Sequence, residues 1–262
     1  AAGTLLHESV EVVTHPRHTI DLAAAARDEA QALAKIILTG DDADTVLRGA
    51  AGIPERVAWT GPLELQQVKD VAHAHGATVN DVLVAALTGA LRGYLDERDS
   101  LVEQVRVLVP FNLRPLDRPL PRDLGNRFGL VTLPLHVGVA TPLERLRSVM
   151  REMARIKTSP EGVVSYAVLS AIGVTPLQME RVIVDVVSAH GSAVVTNVPG
   201  PRAPVYLAGR RVAGVLVWAP VSGNMAMSVS IFSYDGTVRI GVMTDAGLIP
   251  DPGAIAEAAE RE

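Results

Sequence analysis

A chain of 262 residues is long enough to bury one sizeable core or two small ones. Its 48% hydrophobic and 20% charged content is that of a globular protein, and a net charge of -5 without a Lys/Arg run argues against a nucleic-acid partner. The absence of cysteine excludes disulfides, thiolate catalysis and cysteine-ligated metals, which fits a reducing compartment, and 3% aromatic content leaves the core to Val, Leu, Ala and Ile.

The chain opens Ala1-Ala2-Gly3-Thr4, with neither an initiator Met nor a signal pattern, so we expect an internal cut through a longer polypeptide. Val10 to Val13 is a short β-like run, and Arg27 to Leu38 reads as an Ala- and Leu-rich helix. From Asp41 to Gly52 the sequence is polar and Gly-bounded, as in a surface connection. Leu63 to His75 carries apolar residues at 65, 68, 71 and 72, a helical stripe, with Gly76 placed as a C-terminal cap. Val79 to Leu95 puts Val82, Leu83, Ala86, Leu87, Ala90, Leu91 and Tyr94 on one face, the clearest helix of the chain. Arg106 to Phe111 and Gly129 to Val137 read as strands, separated by a loop with Pro115, Pro119 and Pro121. Pro142 to Lys157 reads as an amphipathic helix with proline at its start, and Thr175 to Ala189 as another helix.

Beyond it lies a strand broken at Pro199-Gly200-Pro201, then three extended runs joined by short turns, with Asp235-Gly236 as a hairpin turn. The two longest uncharged stretches, 162–179 and 212–234, are interrupted by Gly, Pro, Ser or Asn. A membrane-spanning helix needs ~20 mostly apolar residues, so no span is expected. Interleaved helices and strands followed by clustered strands predict a layered α/β domain with a mixed sheet.

Thr78-Val79-Asn80-Asp81 has the spacing of a capping box, with Thr78 as N-cap and Asp81 three residues on. A direct role for the Asn-Asp pair is the competing reading. Arg114 and the Gly125-Asn126 turn are read first as structural, and Ser230 and Ser233 as weak candidates for oxyanion support. Among seven histidines, His73 and His75 form the one close pair, and their spacing sets the side chains ~200° apart on a helix. There is no Gly-x-Ser-x-Gly elbow, Walker loop, Rossmann fingerprint or metal-ligand cluster.

Thr196-Asn197-Val198-Pro199-Gly200-Pro201, the Asn80-Asp81 pair and Gly125-Asn126-Arg127-Phe128-Gly129 together resemble the C-terminal half of the bacterial wax ester synthase/diacylglycerol acyltransferase family. The resemblance implies half of a chloramphenicol acetyltransferase-like fold, that of the coenzyme A-dependent acyltransferases. It runs from about Val57 to Asp251, so residues 1–56 are expected to connect from an N-terminal half and 57–262 to form the domain. The family transfers a fatty acyl group from acyl-CoA, a substrate rather than a cofactor, to a long-chain alcohol or diacylglycerol. Its catalytic His-His-x-x-x-Asp-Gly is not in this sequence. The resemblance therefore implies that the base comes from the N-terminal half of the same protein. Asn80 and Asp81 would support catalysis, while Arg114, Asn126, Asn197, Ser230 and Ser233 would line the substrate site. The implied location is cytoplasmic, with peripheral contact to the inner membrane face or lipid droplets. Two other readings stay open: a non-catalytic half-domain binding lipid or a partner chain, and a condensation-type acyltransferase with a carrier-tethered donor.

Overall fold

The computed structural model describes residues 40–50, 52, 55–114, 128–172, 188–220 and 225–262. The readings placed on residues 10–13, 27–38, 115–127 and most of 175–189, Asn126 among them, lie outside these residues. Among the described residues seven strands form one mixed sheet: β1 (Glu55–Trp59), β2 (Leu63–Glu64), β3 (Val105–Asn112), β4 (Phe128–Leu135), β5 (Ala193–Pro199), β8 (Met227–Tyr234) and β9 (Thr237–Asp245). Their order is β1-β9-β8-β5-β3-β4, with β2 beside β9. Parallel pairing joins β3 to β5 and β5 to β8, and the remaining contacts are antiparallel. Among the described residues five helices accompany the sheet: α1 (Leu65–Ala74), α2 (Val79–Asp96), α3 (Pro142–Thr158), α4 (Glu161–Ile172) and α5 (Pro252–Arg261). A small hairpin of β6 (Tyr206–Leu207) and β7 (Arg210–Arg211) stands apart from it.

Alternation in the strands sorts the core. Val105 and Val107, Val131 and Leu133, Val229 and Ile231, and Ile240 and Val242 share one buried cluster with Leu83, Leu87 and Leu91 of α2. α2 packs against α1, α3 and α5, and it is apolar around more of its circumference than the expected stripe. Val84, Thr88 and Leu95 are buried with Leu87 and Leu91, so this helix is central rather than amphipathic at a surface. α1 ends as its sequence demands. Gly76 takes φ +63, its N–H reaches His73 C=O at 3.3 Å, and Ala77 N–H reaches Ala72 C=O at 2.8 Å, a Schellman closure.

The hairpin turns follow the same logic. Asp235 and Gly236 both have positive φ (47° and 82°), as do Ala208 and Gly209 (49° and 76°), the backbone of a type I′ turn. The Pro-Gly-Pro segment behaves differently from a break. Gly200 N–H still donates to Ser233 C=O at 3.0 Å and Asp235 N–H to Pro201 C=O at 3.0 Å, so pairing along β8 continues past the end of β5. Residues 212–220 form no strand, and of the extended runs expected after the turn, β8 and β9 alone join the main sheet.

A further correction comes from a polar side chain. The stretch from Asp41, expected as a surface connection, buries Leu47 completely and Asp42 to 6% exposure. The Asp42 carboxylate accepts from Arg106 N–H and Nε and from Ser192 Oγ at 2.5 Å, stapling this segment to the start of β3 and the approach to β5. At one edge of the sheet, β4 is closed by α4. Leu130 N–H donates to Ser165 Oγ and Thr132 N–H to Glu161 Oε1, both at 2.8 Å, so the edge strand offers these donors to no other chain. α4 comes this close because position 129 has no side chain: a Cβ there would lie 1.8 Å from Gly162 C=O.

Gly129→Ala should therefore lower stability by ~2 kcal/mol or more, since the clash is with backbone and cannot be relieved by a rotamer change. Gly93→Ala, in an exposed part of α2 where a Cβ meets nothing within 4 Å, should instead raise it by ~0.5–1 kcal/mol. Denaturant midpoints of the two variants check both signs.

Tyr94 predicts an alkaline signature. Burial, then its hydrogen bond to Asp251 Oδ1 at 2.7 Å, pushes the phenol pKa above its ordinary value. A raised folded-state pKa contributes stability that is fully present below the unfolded value, near ~10, and is lost as pH climbs toward the folded value. Thermal scans should show a decline above about pH 10 that is shallower in Tyr94→Phe.

Candidate functional site

Parallel pairing sends β3, β5 and β8 in the same direction, so their carboxyl ends meet at one edge of the sheet. In open α/β sheets that edge is where ligands bind. Asn112 to Arg114, Asn197 to Pro199 and Ser233 all lie there, and the start of α2 is brought to it from the helix layer.

The first turn of α2 is anchored by the expected capping box. Thr78 Oγ1 accepts from Asp81 N–H at 3.2 Å, and Asp81 Oδ2 accepts from Thr78 N–H at 2.8 Å. Asp81 is 5% exposed, and its Oδ1 has no hydrogen-bond partner. This carboxylate is committed to holding the helix end. Asn80 is free of that duty. Its Oδ1 accepts from Asn197 Nδ2 at 2.7 Å across 117 residues of sequence, and its Nδ2 lies 3.7 Å from Met153 Sδ on α3. A thioether is a weak acceptor, so the one strong bond of the Asn80 side chain is the bond to Asn197. Asn80 is half-buried and Asn197 exposed, which leaves the amide pair open on its Asn197 side. Phe111, Phe128 and Val198, at the same strand ends, stay 37%, 38% and 43% exposed and give this edge an apolar rim.

The other expected residues divide by face and position. Asn197 pairs with Ile231 in the ladder, and successive side chains alternate, so Ser233 shares the Asn197 face and Ser230 takes the opposite one. Ser230 Oγ donates to Val217 C=O there, and Ser233 Oγ lies 3.4 Å from Gly200 N–H. Arg114 follows the end of β3, its N–H donating to Asn112 Oδ1 at 3.0 Å, while Asn126 falls outside the described residues. Gly200 is required by packing: a Cβ there would lie 2.2 Å from Ser233 C=O. The Asn80–Asn197 bond was not foreseen, and no pattern of spacing could have shown it.

None of the four described histidines bonds to the amide pair. His73 and His75 are exposed, His136 Nε2 lies 3.9 Å from Glu152 Oε1, and His190 is buried. Among the described residues there is no group of His, Asp or Glu fit to hold a metal ion. No helix among them is long and apolar enough to cross a membrane.

The description of the WS/DGAT C-terminal domain matches residues 124–262, more than half of the sequence. The chain belongs to this wax ester synthase/diacylglycerol acyltransferase family. It is 29% identical over 202 residues to "Probable diacyglycerol O-acyltransferase tgs1" of Mycobacterium tuberculosis, an alignment covering 75% of this chain and 43% of that protein. With the tgs2 relative from the same organism it shares 30% identity over 185 residues, 68% of this chain and 40% of the other. The chain thus spans about two fifths of the length of the curated relatives it matches. Among solved structures, the wax ester synthase/diacylglycerol acyltransferase of Marinobacter aquaeolei superposes with a TM-score of 0.63 at 22% identity, covering 94% of this chain and 56% of that one. PapA2 acyl transferase gives 0.51 at 14% identity over 94% and 54% of the two chains. These likenesses show the layered mixed-sheet acyltransferase fold that the sequence led us to expect.

Since Ser230 is engaged on the far face of the sheet, Ser230→Ala should cost stability, ~0.5–1.5 kcal/mol for its hydrogen bond, and leave turnover of a complete protein unchanged. Paired melting and rate measurements separate the two effects.

Proposed function

We propose that this chain is the C-terminal half of an O-acyltransferase that moves a fatty acyl group from acyl-CoA to a long-chain alcohol or a diacylglycerol. Membership of the family, the names of its relatives and the shared fold support the reading. The observation that carries it within this chain is the Asn197–Asn80 hydrogen bond. It ties the Thr196-Asn197-Val198-Pro199-Gly200-Pro201 segment to the Asn80-Asp81 segment where the parallel strands end.

In the proposed reaction a histidine of the N-terminal half takes the proton of the acceptor hydroxyl. The acceptor oxygen bonds to the thioester carbon, the carbon–sulfur bond breaks, and the departing thiolate of coenzyme A recovers that proton. The part of this chain is to hold the reacting groups in place. Asn80 and Asn197 would fix the wall facing the catalytic loop, with Asp81 anchoring the helix that carries Asn80. Arg114, Asn126 and Ser233 are proposed as further wall residues around the substrates, and Ser230 as support for the sheet behind them. The division proposed is a connecting segment, 1–56, followed by the domain, 57–262, with Asp42 and Leu47 of the connecting segment buried against it. A cytoplasmic location, with peripheral contact to the inner membrane face or lipid droplets, belongs to the same proposal.

The isolated chain, supplied with acyl-CoA and 1-hexadecanol, should form no wax ester above background; ester formation by this chain alone would overturn the assignment of the base to the other half. In a complete protein, Asn80→Ala should lower turnover by ~10²-fold, because a displacement of about 1 Å in a catalytic group is enough. Thr78→Ala should cost ~0.5–2 kcal/mol of stability as a lost N-cap and keep most of the turnover. If both variants lose stability alike and both retain full rate, the amide pair has no part in the reaction.

A further inference from the structure

The β6–β7 hairpin carries the most exposed apolar side chains of the described residues. Leu207 is 74% exposed and Tyr206 63%, and every residue from 201 to 211 is exposed. The hairpin is nevertheless held firmly at its base. The buried Tyr234 hydroxyl accepts from Val205 N–H and donates to Val212 C=O, both at 2.9 Å, and Arg211 Nη2 pairs with Asp235 Oδ2. These contacts pin it to the end of β8, so it leaves the sheet at the edge that carries Asn197.

Register and charge set what can cover it. Tyr206 stands opposite Arg211 and Leu207 opposite Arg210, and directly paired side chains share a face. Each face of the hairpin therefore carries one apolar and one cationic side chain. A folded partner laid on one face would leave Tyr206 or Leu207 in water, whereas a medium that surrounds the tip covers both. The charge is local: between residues 188 and 244 the sequence sets four arginines, 202, 210, 211 and 239, against Asp235 alone, in a chain of net charge -5. Arg202 and Arg210 have no acidic partner among the described residues. Tyrosine favours the membrane–water interface, and arginines beside it are drawn to anionic headgroups.

We propose that the β6–β7 hairpin docks this chain on an anionic lipid bilayer, with Leu207 and Ala208 at the acyl boundary, Tyr206 at headgroup level and Arg202 and Arg210 on lipid phosphates. So small an anchor binds weakly and reversibly. The inference deepens the peripheral membrane contact proposed above and rests on that reading for its purpose, since the docked edge is the one that holds Asn80 and Asn197. Binding itself requires no acyl transfer, so docking and catalysis can fail separately.

Flotation of the purified chain with vesicles of phosphatidylcholine, alone or mixed with phosphatidylglycerol, tests it. The chain should float with the mixed vesicles and not with the neutral ones, and added salt should release it. Arg202→Ala and Arg210→Ala should each lower partitioning about 5-fold, and Leu207→Ser ~10-fold or more. All three positions are exposed, so the fold should survive. Val163→Ser, at a 55% exposed apolar site on α4, should leave partitioning unchanged. Tyr206→Trp should add an indole emission that is quenched by brominated acyl chains in mixed vesicles, and Leu207→Ser in the same chain should abolish that quenching. Failure to float on mixed vesicles overturns the proposal, as does equal flotation on neutral ones or equal loss from Leu207→Ser and Val163→Ser. So does a complete protein that ignores mixed vesicles while the isolated chain binds them, which would assign the hairpin to the other half.

Discussion

The arrangement of this domain depends on the parallel pairing of β5 between β3 and β8. Parallel neighbours cannot be joined by a tight turn, so the chain must leave the sheet and cross over between them. The segments that cross carry α3 and α4 between β3 and β5, and the small hairpin between β5 and β8. The same pairing gathers three strand carboxyl ends at one edge, where exposed side chains and backbone have left the ladder but are still positioned by it. β4, β9 and β1 flank this centre in antiparallel order, and α4 closes the β4 edge with Ser165 and Glu161.

Local signals in the sequence were faithful because their causes are local. Gly76 after an apolar stripe, Thr78 three residues before Asp81, Pro142 at a helix start and Asp235-Gly236 between alternating strands each act within a few residues. All four stand where expected. α5 went unread, although Pro252 at its first position and the Ala/Glu run after it carry the signal of a helix start. What local patterns could not reveal rests on long-range partners. Asp42 in a polar stretch looks like a surface residue until Arg106 and Ser192 are beside it. Pro199-Gly200-Pro201 looks like a break until its remaining donors and acceptors are found on β8. The central burial of α2 depends on three helices around it, and no stripe could announce that.

The candidate site shows the same division. Motif resemblance pointed to Asn80, Asp81 and Asn197 separately, whereas geometry distinguishes their parts. Asp81 spends one oxygen on the helix end, and Asn80 turns its amide to Asn197. Ser230 and Ser233 looked equivalent in sequence, but a one-residue difference in parity puts them on opposite faces of the sheet. An exposed asparagine held by a half-buried one suits a wall that must keep its shape before a second surface meets it.

The central claim is that Asn80 and Asn197 act as one unit. A double-mutant cycle in a complete protein, scored on kcat/KM, measures this directly. If the pair is a unit, Asn197→Ala should lower kcat/KM in the unaltered protein and change it little once Asn80→Ala is present. The coupling should be at least ~1 kcal/mol, within the range found for residues in contact. Additive losses from the two substitutions would show that each residue acts alone, and would contradict the account.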